Sequence, residues 1–289
     1  MSKSLGYSST FYYSLGALIY QGVTFMAAPN PFEKQTPIPG VKHIIAVSSG
    51  KGGVGKSTVA TNLAMALGKK SRVGLLDADI YGPSIPRMLG SLGQKPQINP
   101  ETNQLEPITR YGIKLMSIGF LVDENAAVVW RGPMLFKAMD QFLRDVNWGE
   151  LDYLVVDLPP GTGDIQLTLA QKVPVSGAVV VSTPQNVALL DVKKAVDMFE
   201  RVGVPLLGMV ENMAYMINPA NGEKIQLFPK GEMDTYAHAK GMKKLGAVPF
   251  NPSVGLACEA GIPIVEANSN GAEAQEFMTI ANNIREILP

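Results

Sequence analysis

The sequence contains a single cysteine, Cys258, in a chain of 289 residues. One thiol excludes a disulfide bond within the chain and is typical of a reducing compartment. It also excludes a metal or cluster site made of several cysteines from one chain. The histidines His43 and His238 stand apart without the spacing of metal ligands, so we expect both to be structural. We expect Cys258 to be a small buried apolar residue.

An excess of charge is also absent, because 25 Lys and Arg residues balance 25 Asp and Glu residues. This balance gives no indication of binding to nucleic acid or to an anionic membrane. Long apolar runs are lacking too, since residues 11–28 are broken by polar residues and glycines, which argues against a membrane span. The hydrophobic content of 46% is nevertheless ample for a large core.

Residues 1–40 differ in character from the rest of the chain. We expect a disordered extension or a misassigned start with Met26 as the true first residue, and a targeting signal is the less favoured alternative. A mitochondrial presequence would contain arginines, and none precedes Arg72. Four prolines between residues 29 and 39 indicate an extended linker. The predicted boundary separates residues 1–40 from a domain of residues 41–289.

A glycine-rich loop follows the apolar run of residues 44–47, which is typical of a buried strand. The loop matches the phosphate-binding pattern G-x-x-x-x-G-K-[ST] at Gly50, Gly55, Lys56 and Ser57. Its glycines let the backbone approach phosphate oxygens, Lys56 can reach the β- and γ-phosphates, and the Ser57 hydroxyl can hold Mg²⁺. A strand before it and a helix after it disfavour a chance glycine-rich turn. The predicted nucleotide-binding residues of the loop are Gly50, Lys51, Gly52, Gly53, Val54, Gly55, Lys56, Ser57 and Thr58.

Carboxylates follow two other predicted strands. Asp77 and Asp79 end one of them, and either could simply cap the following turn. Asp157 ends the other and can hold Mg²⁺ through water, with an ordinary strand-end turn as the alternative. Gly161 and Gly163 then give a loop that could follow the γ-phosphate. Together these segments predict a Mg²⁺-dependent nucleotide site.

The remaining pattern alternates strands with helices from residue 44 onwards, which predicts an α/β fold with a doubly wound, mostly parallel sheet. In such a fold the nucleotide lies outside the carboxyl ends of the strands. Residues 92–110 are polar and turn-rich and predict a surface excursion. The other predicted strands are 73–76, 113–118, 151–156, 177–181, 206–210 and 247–249, and the predicted helices are 57–70, 133–146, 187–202 and 272–288.

Lys51, directly after the first glycine of the loop, makes this segment resemble the deviant Walker A loop of MinD, ParA, the nitrogenase iron protein and the Mrp/ApbC cluster carriers. The wider chain resembles Mrp/ApbC-type iron–sulfur cluster carrier ATPases over residues 41–288. The motif at Arg131 and the Ile-Tyr-Gly-Pro-Ser segment from Ile80 distinguish it from MinD and ParA. The segments that carry the resemblance are the loop, Asp77-Ala-Asp-Ile-Tyr-Gly-Pro-Ser, Arg131-Gly-Pro-Met, residues 157–164, Thr183-Pro-Gln and Glu211-Asn-Met.

The resemblance implies a homodimeric P-loop ATPase that binds ATP and Mg²⁺. It implies catalytic roles for Lys51, which would reach the partner's nucleotide, for Lys56, and for Asp79, which would orient the attacking water. It further implies that Ser57 and Asp157 hold the metal. The cofactor-binding positions Asn212 and Pro249 would lie at the adenine base. The alternative for Asn212 is an ordinary turn residue, because asparagine is common at strand ends.

The resemblance also implies a [4Fe–4S] cluster carried between two subunits on a Cys-Pro-x-Cys motif, and iron–sulfur apoproteins or assembly factors as partners. In this chain that place reads Asn218-Pro-Ala-Asn221. An asparagine amide does not replace the thiolate that such clusters need. These residues predict a tight turn between residues 215–217 and 224–227, so we expect a bare β-hairpin and no stable cluster. Asn251 likewise replaces the family's aspartate beside the base.

Two other functions compete with cluster assembly. A MinD- or ParA-like switch that positions a partner would need either a basic amphipathic C-terminal helix or a basic DNA-binding surface. Residues 276–289 offer only Arg285 as a base, and the overall charge is balanced. A vestigial site is disfavoured because both loop lysines, Ser57 and the acidic motifs are intact. We therefore expect no nucleic-acid partner, no stable membrane association and a cytoplasmic location, with the mitochondrial matrix as the alternative.

Overall fold

The computed structural model describes residues 35–121, 132–229 and 231–289, without the side chains of 132–135 and 164. The predicted extension up to residue 34 and Arg131 of the Arg-Gly-Pro-Met motif lie outside these residues. Gln35–Pro289 form one compact unit. Residues 35–40, which the sequence assigns to the linker, pack on it through buried Ile38 and through Arg144, which donates to the Thr36 and Pro37 carbonyls.

The main sheet of the described chain has 8 strands in the order β12-β9-β8-β1-β7-β2-β6-β5. Every neighbouring pair is parallel except β5 and β6. The strands of this sheet are β1 (Val41–Ser48), β2 (Val73–Asp77), β5 (Ile108–Arg110), β6 (Ile113–Ser117), β7 (Leu151–Asp157), β8 (Gly177–Ser182), β9 (Leu206–Glu211) and β12 (Lys244–Ala247). Two small antiparallel pairs are β3 (Gln97–Ile98) with β4 (Leu105–Glu106), and β10 (Met216–Ile217) with β11 (Lys224–Ile225).

Helices connect the parallel strands, as right-handed crossover units require. Across the described residues these are α1 (Lys56–Gly68), α2 (Ile85–Met88), α3 (Gly132–Arg144), α4 (Asp164–Lys172), α5 (Asn186–Arg201), α6 (Met233–Ala239), α7 (Pro252–Glu259), α8 (Ile264–Ala267) and α9 (Ala272–Ile287). None of them is long and apolar enough to cross a membrane.

The predicted doubly wound, mostly parallel α/β fold is confirmed. Its central strands are buried on both faces, which is why they appear in the sequence as apolar runs. The predicted strand at 247–249 is wrong: β12 ends at Ala247, and Val248 and Pro249 leave the sheet towards a cavity. Residues 92–110 are predicted to be a surface excursion, but part of this segment, β5, pairs with β6 and extends the main sheet.

The C-terminal helix α9 contributes side chains to the hydrophobic core of this domain. Phe277, Ile280 and Ile284 are buried, and α9 packs along α1. Arg285 donates to the carbonyls of Ala66 and Leu67, which satisfies the last turn of α1. The single base of the C-terminal segment is therefore engaged within the domain.

Candidate nucleotide-binding site

Strand register brings the predicted site residues together at one edge of the sheet. Asp157 lies opposite Val47 on β1 and opposite Asp77 on β2. The glycine-rich loop leaves β1 directly after this point and enters α1 at Lys56. Residues more than 100 positions apart, such as Lys56 and Asp157, thus meet in one place.

Two glycines of the loop have no room for a side chain. Gly55 has φ = 79°, a left-handed conformation, and a Cβ there would lie 2.2 Å from the Asn212 amide nitrogen. A Cβ on Gly50 would lie 2.2 Å from the carbonyl of Asp191 on α5. The loop is therefore held between the backbone of α5 at Asp191 and the residue that follows β9, Asn212, and its sequence pattern has a steric cause.

Lys56 lies at the bottom of the loop and is only 6% exposed. Its Nζ donates to Asp157 Oδ1 at 2.6 Å and lies 3.4 Å from Asp79 Oδ2. It also lies 3.2 Å from the Ser57 hydroxyl. The structure thus brings Lys56, Ser57, Asp79 and Asp157 together, as the sequence predicts.

Negative charge exceeds positive charge in this buried region. Asp77 and Asp157 are both 0% exposed, and Lys56 is the cation that lies between Asp157 and Asp79. Burial, and then repulsion by Asp157, raises the pKa of Asp77 to about 8. Burial also raises the pKa of Asp157, although the Lys56 ammonium group opposes that rise. A cation or an added proton would relieve this imbalance.

The residues present fit Mg²⁺. Asp157 Oδ2 is buried and has no hydrogen-bond partner in the described chain, and the Ser57 hydroxyl lies 3.2 Å from the Lys56 Nζ that donates to the same carboxyl group. Carboxylate and hydroxyl oxygens are the ligands that Mg²⁺ takes beside phosphates. When bound, the ion would supply charge neutralisation at the phosphate oxygens. Ser57 and Asp157 are the side chains that would hold it.

Asp77 and Asp79 have different roles although they are two residues apart. Asp77 accepts hydrogen bonds from the Asp79 and Ile85 backbone N–H groups at 3.2 and 3.3 Å, and from the Ser117 hydroxyl at 2.9 Å. It therefore fixes both ends of the turn between β2 and α2, as a cap does. The Asp79 side chain instead lines the cavity beside the loop.

Two adjoining cavities flank the loop. The phosphate-side cavity has a volume of about 220 Å³ and is lined by the loop, including Lys51, and by Asp79, Ser84 and Pro160. The base-side cavity has a volume of about 260 Å³. Its lining includes the predicted residues Asn212 and Pro249, and also Met213, Phe250, Val254 and Phe277, which the sequence reasoning missed. Both cavities share Gly53, Gly55 and Thr58.

Asn212 ties the base-side cavity to the loop. Its Nδ2 donates to the Val54 carbonyl at 2.9 Å, and its backbone N–H donates to the Ser182 carbonyl. Among the described residues its Oδ1 accepts no hydrogen bond and is available to a ligand. Asn251 also lines this cavity, and its side chain accepts from the Ser253 N–H to cap α7 and donates to buried Glu273.

The hairpin of β10 and β11 forms as the sequence predicts, and its asparagines complete the turn. Asn218 Oδ1 accepts from the Ala220 N–H, and Asn221 Oδ1 accepts from the Glu223 N–H, both at 3.0 Å. Cys258 is buried on α7, where burial raises the pKa of its thiol. No group of three His, Cys, Asp or Glu side chains able to hold a metal occurs among the described residues. These residues do not fit a [4Fe–4S] cluster as cargo at the hairpin.

Comparisons with known proteins agree with this geometry. Residues 40–285 match the ParA family described as NUBPL iron-transfer P-loop NTPase. An iron-sulfur cluster carrier protein of Aquifex aeolicus is 50% identical over 260 residues, covering 89% of this chain and 71% of the relative. An iron-sulfur protein required for NADH dehydrogenase, mitochondrial, of Arabidopsis thaliana is 46% identical over 247 residues, covering 85% of this chain and 78% of the relative.

A solved structure extends the comparison to the site. A nucleotide-binding protein of Archaeoglobus fulgidus in complex with ADP superimposes with a TM-score of 0.70 at 40% identity, covering 82% of this chain and 92% of that chain. The glycine-rich loop, the Lys56–Asp157 contact and the two adjoining cavities are the features of a nucleotide site. The chain belongs to the NUBPL family of iron-transfer P-loop NTPases and is an ATPase of that family.

Proposed function

We propose that this chain is a Mg²⁺-dependent ATPase that works as a homodimer in iron–sulfur cluster assembly or transfer. The convergence of Lys56, Ser57 and Asp157 beneath the phosphate-side cavity carries the proposal. The names of its relatives, which describe iron–sulfur cluster carriers, supply the biological context.

Each side chain of the site has a role in this proposal. Lys56 compensates the charge of the β- and γ-phosphates, while Ser57 and Asp157 hold Mg²⁺. Asp79, at the wall of the same cavity, orients the attacking water. Asn212 Oδ1 accepts a hydrogen bond from the adenine amino group, and Pro249 packs beside the base. A guanine would present a carbonyl to the same acceptor, so ATP is favoured over GTP.

Lys51 supports the dimeric form of the proposal. It lines the phosphate-side cavity, and among the described residues its ammonium group has no hydrogen-bond or ion-pair partner. A free cation at the open side of the cavity suits a nucleotide bound to a second copy of the chain. Lys51 would thus contribute to catalysis across the dimer interface.

The protein would act on iron–sulfur apoproteins or assembly factors without holding the cluster at its own hairpin. Asn218 and Asn221 give two subunits four neutral amides in place of the four thiolates that such a cluster needs. ATP binding would then gate contact with a partner. We place this activity in the cytoplasm or, following the mitochondrial relative, in the mitochondrial matrix, with no nucleic-acid or membrane partner.

The experiment that tests the proposal is ATP hydrolysis with and without Mg²⁺ by wild-type protein and by Lys56→Ala. Lys70→Ala is the matched control, because Lys70 is exposed at the opposite end of α1. We expect hydrolysis that requires Mg²⁺, is lost in Lys56→Ala and persists in Lys70→Ala. Equal turnover by Lys56→Ala and wild type would refute the assignment.

A further inference from the structure

The loop between β7 and α4 runs along the phosphate-side cavity. Pro160 lines this cavity, and the Gly161 backbone N–H donates to the Ser49 carbonyl at 2.8 Å. Helix α4 begins at Asp164, and the residue in the capping position, Gly163, has no side chain with which to cap the first turn. Residues 161–163 therefore connect the cavity wall at Pro160 to the start of α4.

Gln166 of α4 holds this loop from beneath. Its side chain is only 2% exposed, and its Nε2 donates to the Pro159 carbonyl at 2.8 Å and to the Gly161 carbonyl at 3.1 Å. Its Oε1 is buried and accepts no hydrogen bond from the described residues. Buried side-chain oxygens are nearly always paired, so this acceptor lacks a donor that another state of the loop can provide.

The geometry identifies that donor. Gln166 is the third residue of α4 after the capping residue Gly163, and a glutamine at this position reaches back to the N–H of the capping residue. A Cβ built on Gly163 would lie 3.7 Å from Gln166 Oε1. The acceptor is thus next to Gly163, but the hydrogen bond is not formed. A small movement of residues 161–163 would complete it.

We propose that Gln166 is a positioning residue that couples the terminal phosphate of ATP to the start of α4. In the arrangement described here, Gln166 Nε2 holds two loop carbonyls while its Oε1 stays unpaired. When ATP fills the cavity, residues 161–163 move, and the Gly163 N–H donates to Oε1. The completed hydrogen bond fixes the loop in its hydrolysis-competent position. This inference rests on the proposed nucleotide site.

Only an amide gives both interactions at this position. Methionine has a similar shape but removes the donor and the acceptor. Glutamate keeps the acceptor and places a carboxylate against the Pro159 and Gly161 carbonyls. Gln171 offers a matched control, because it lies on the same helix and is exposed.

The test compares wild type, Gln166→Met, Gln166→Glu and Gln171→Met by steady-state ATP hydrolysis and by hydrogen–deuterium exchange of residues 158–166. Exchange is measured with Mg²⁺ and either ADP or a non-hydrolysable ATP analogue. In wild type we expect the analogue, and not ADP, to slow exchange in this segment. In Gln166→Met this protection is lost and kcat falls about tenfold, as expected for loss of the one hydrogen bond that forms only with ATP bound, while KM for ATP stays within about twofold. Gln166→Glu keeps part of the protection because its acceptor remains, and Gln171→Met behaves as wild type.

The proposal is overturned if Gln166→Met keeps kcat within about twofold of wild type, or if ADP and the analogue protect the wild-type segment equally. Thermal unfolding shows whether the variants are folded. If Gln166→Met does not fold, Gln166→Glu takes its place, and kcat and protection equal to those of wild type in that variant would overturn the proposal. Failure of wild-type protein to hydrolyse ATP would instead count against the proposed function.

Discussion

Replacing Lys56 with methionine keeps most of the buried side-chain volume and removes the charge that faces Asp157. Asp157 is 0% exposed and its Oδ1 lies 2.6 Å from Lys56 Nζ. Breaking a buried ion pair by removing one partner costs about 3–5 kcal/mol, because the other charge stays buried and unpaired. Asp77, opposite Asp157 in the sheet, supplies no compensating cation, because it is a carboxyl group whose pKa is raised to about 8. We therefore expect Lys56→Met to lower the free energy of unfolding by about 3–5 kcal/mol.

A double-mutant cycle separates this charge effect from packing. Asp157→Asn removes the carboxylate that Lys56 compensates, so the double variant carries neither charge. We expect it to be more stable than the sum of the single changes predicts, by about 1–3 kcal/mol, as is found for groups in one network. A purely steric effect of methionine would leave the two changes additive.

The assay is urea unfolding of nucleotide-free protein with EDTA at pH 7.5, with Lys70→Met as the control. Lys70 is exposed just beyond the end of α1, so its replacement is expected to change stability by less than about 0.5 kcal/mol. A Lys56→Met effect as small as this control would refute the view that Lys56 compensates buried carboxylates in the empty site.

The pKa of Asp77 is about 8 in the folded protein and about 4 in the unfolded chain, so between these pH values the folded state binds one more proton. The free energy of unfolding should therefore fall as the pH rises from about 4 to about 8. Urea unfolding across this pH range should show a smaller fall for Asp77→Asn, and an unchanged slope would contradict the prediction. Lys51→Ala should lose ATP hydrolysis but retain ATP binding. Mixing it with Lys56→Ala protein tests whether Lys51 acts across the dimer interface. If light scattering shows that wild-type protein stays monomeric with ATP, action across an interface is excluded. Asn218→Cys combined with Asn221→Cys should create cluster binding after anaerobic reconstitution, measured by visible absorbance and iron content. About four iron and four sulfide per dimer retained by unmodified protein after desalting would show that the hairpin substitutions do not prevent binding.

Local segments were predictable because their physical cause lies within a few neighbouring residues. The glycine-rich loop, Gly50–Thr58, is one continuous segment, and its glycine spacing follows from backbone geometry. The apolar runs predict the central strands because these strands are buried on both faces. The asparagine-rich turn of the hairpin was predictable for the same reason, since Asn218 and Asn221 bond to backbone groups two residues away.

Elements with weak local patterns were misplaced or missed. Strand β12 is four residues long and its pairing with β9 is irregular between Lys244 and Gly246, so no alternation marks it. Helix α4 is nine residues long, and polar residues occur along its whole length, so no clear apolar stripe marks it. The pairing partners of such elements lie far along the chain, and no local preference encodes them.

The sequence by itself determined the loop, the alternation of strands and helices, and the loss of the cysteines. Only the tertiary structure decided which distant groups meet. The register of β2 against β7 sets Asp77 beside Asp157, and the amide of Asn212 reaches the Val54 carbonyl across 158 positions of chain. The unpaired oxygen of Gln166 is likewise invisible in the sequence, because hydrogen-bond satisfaction depends on packing from several elements at once.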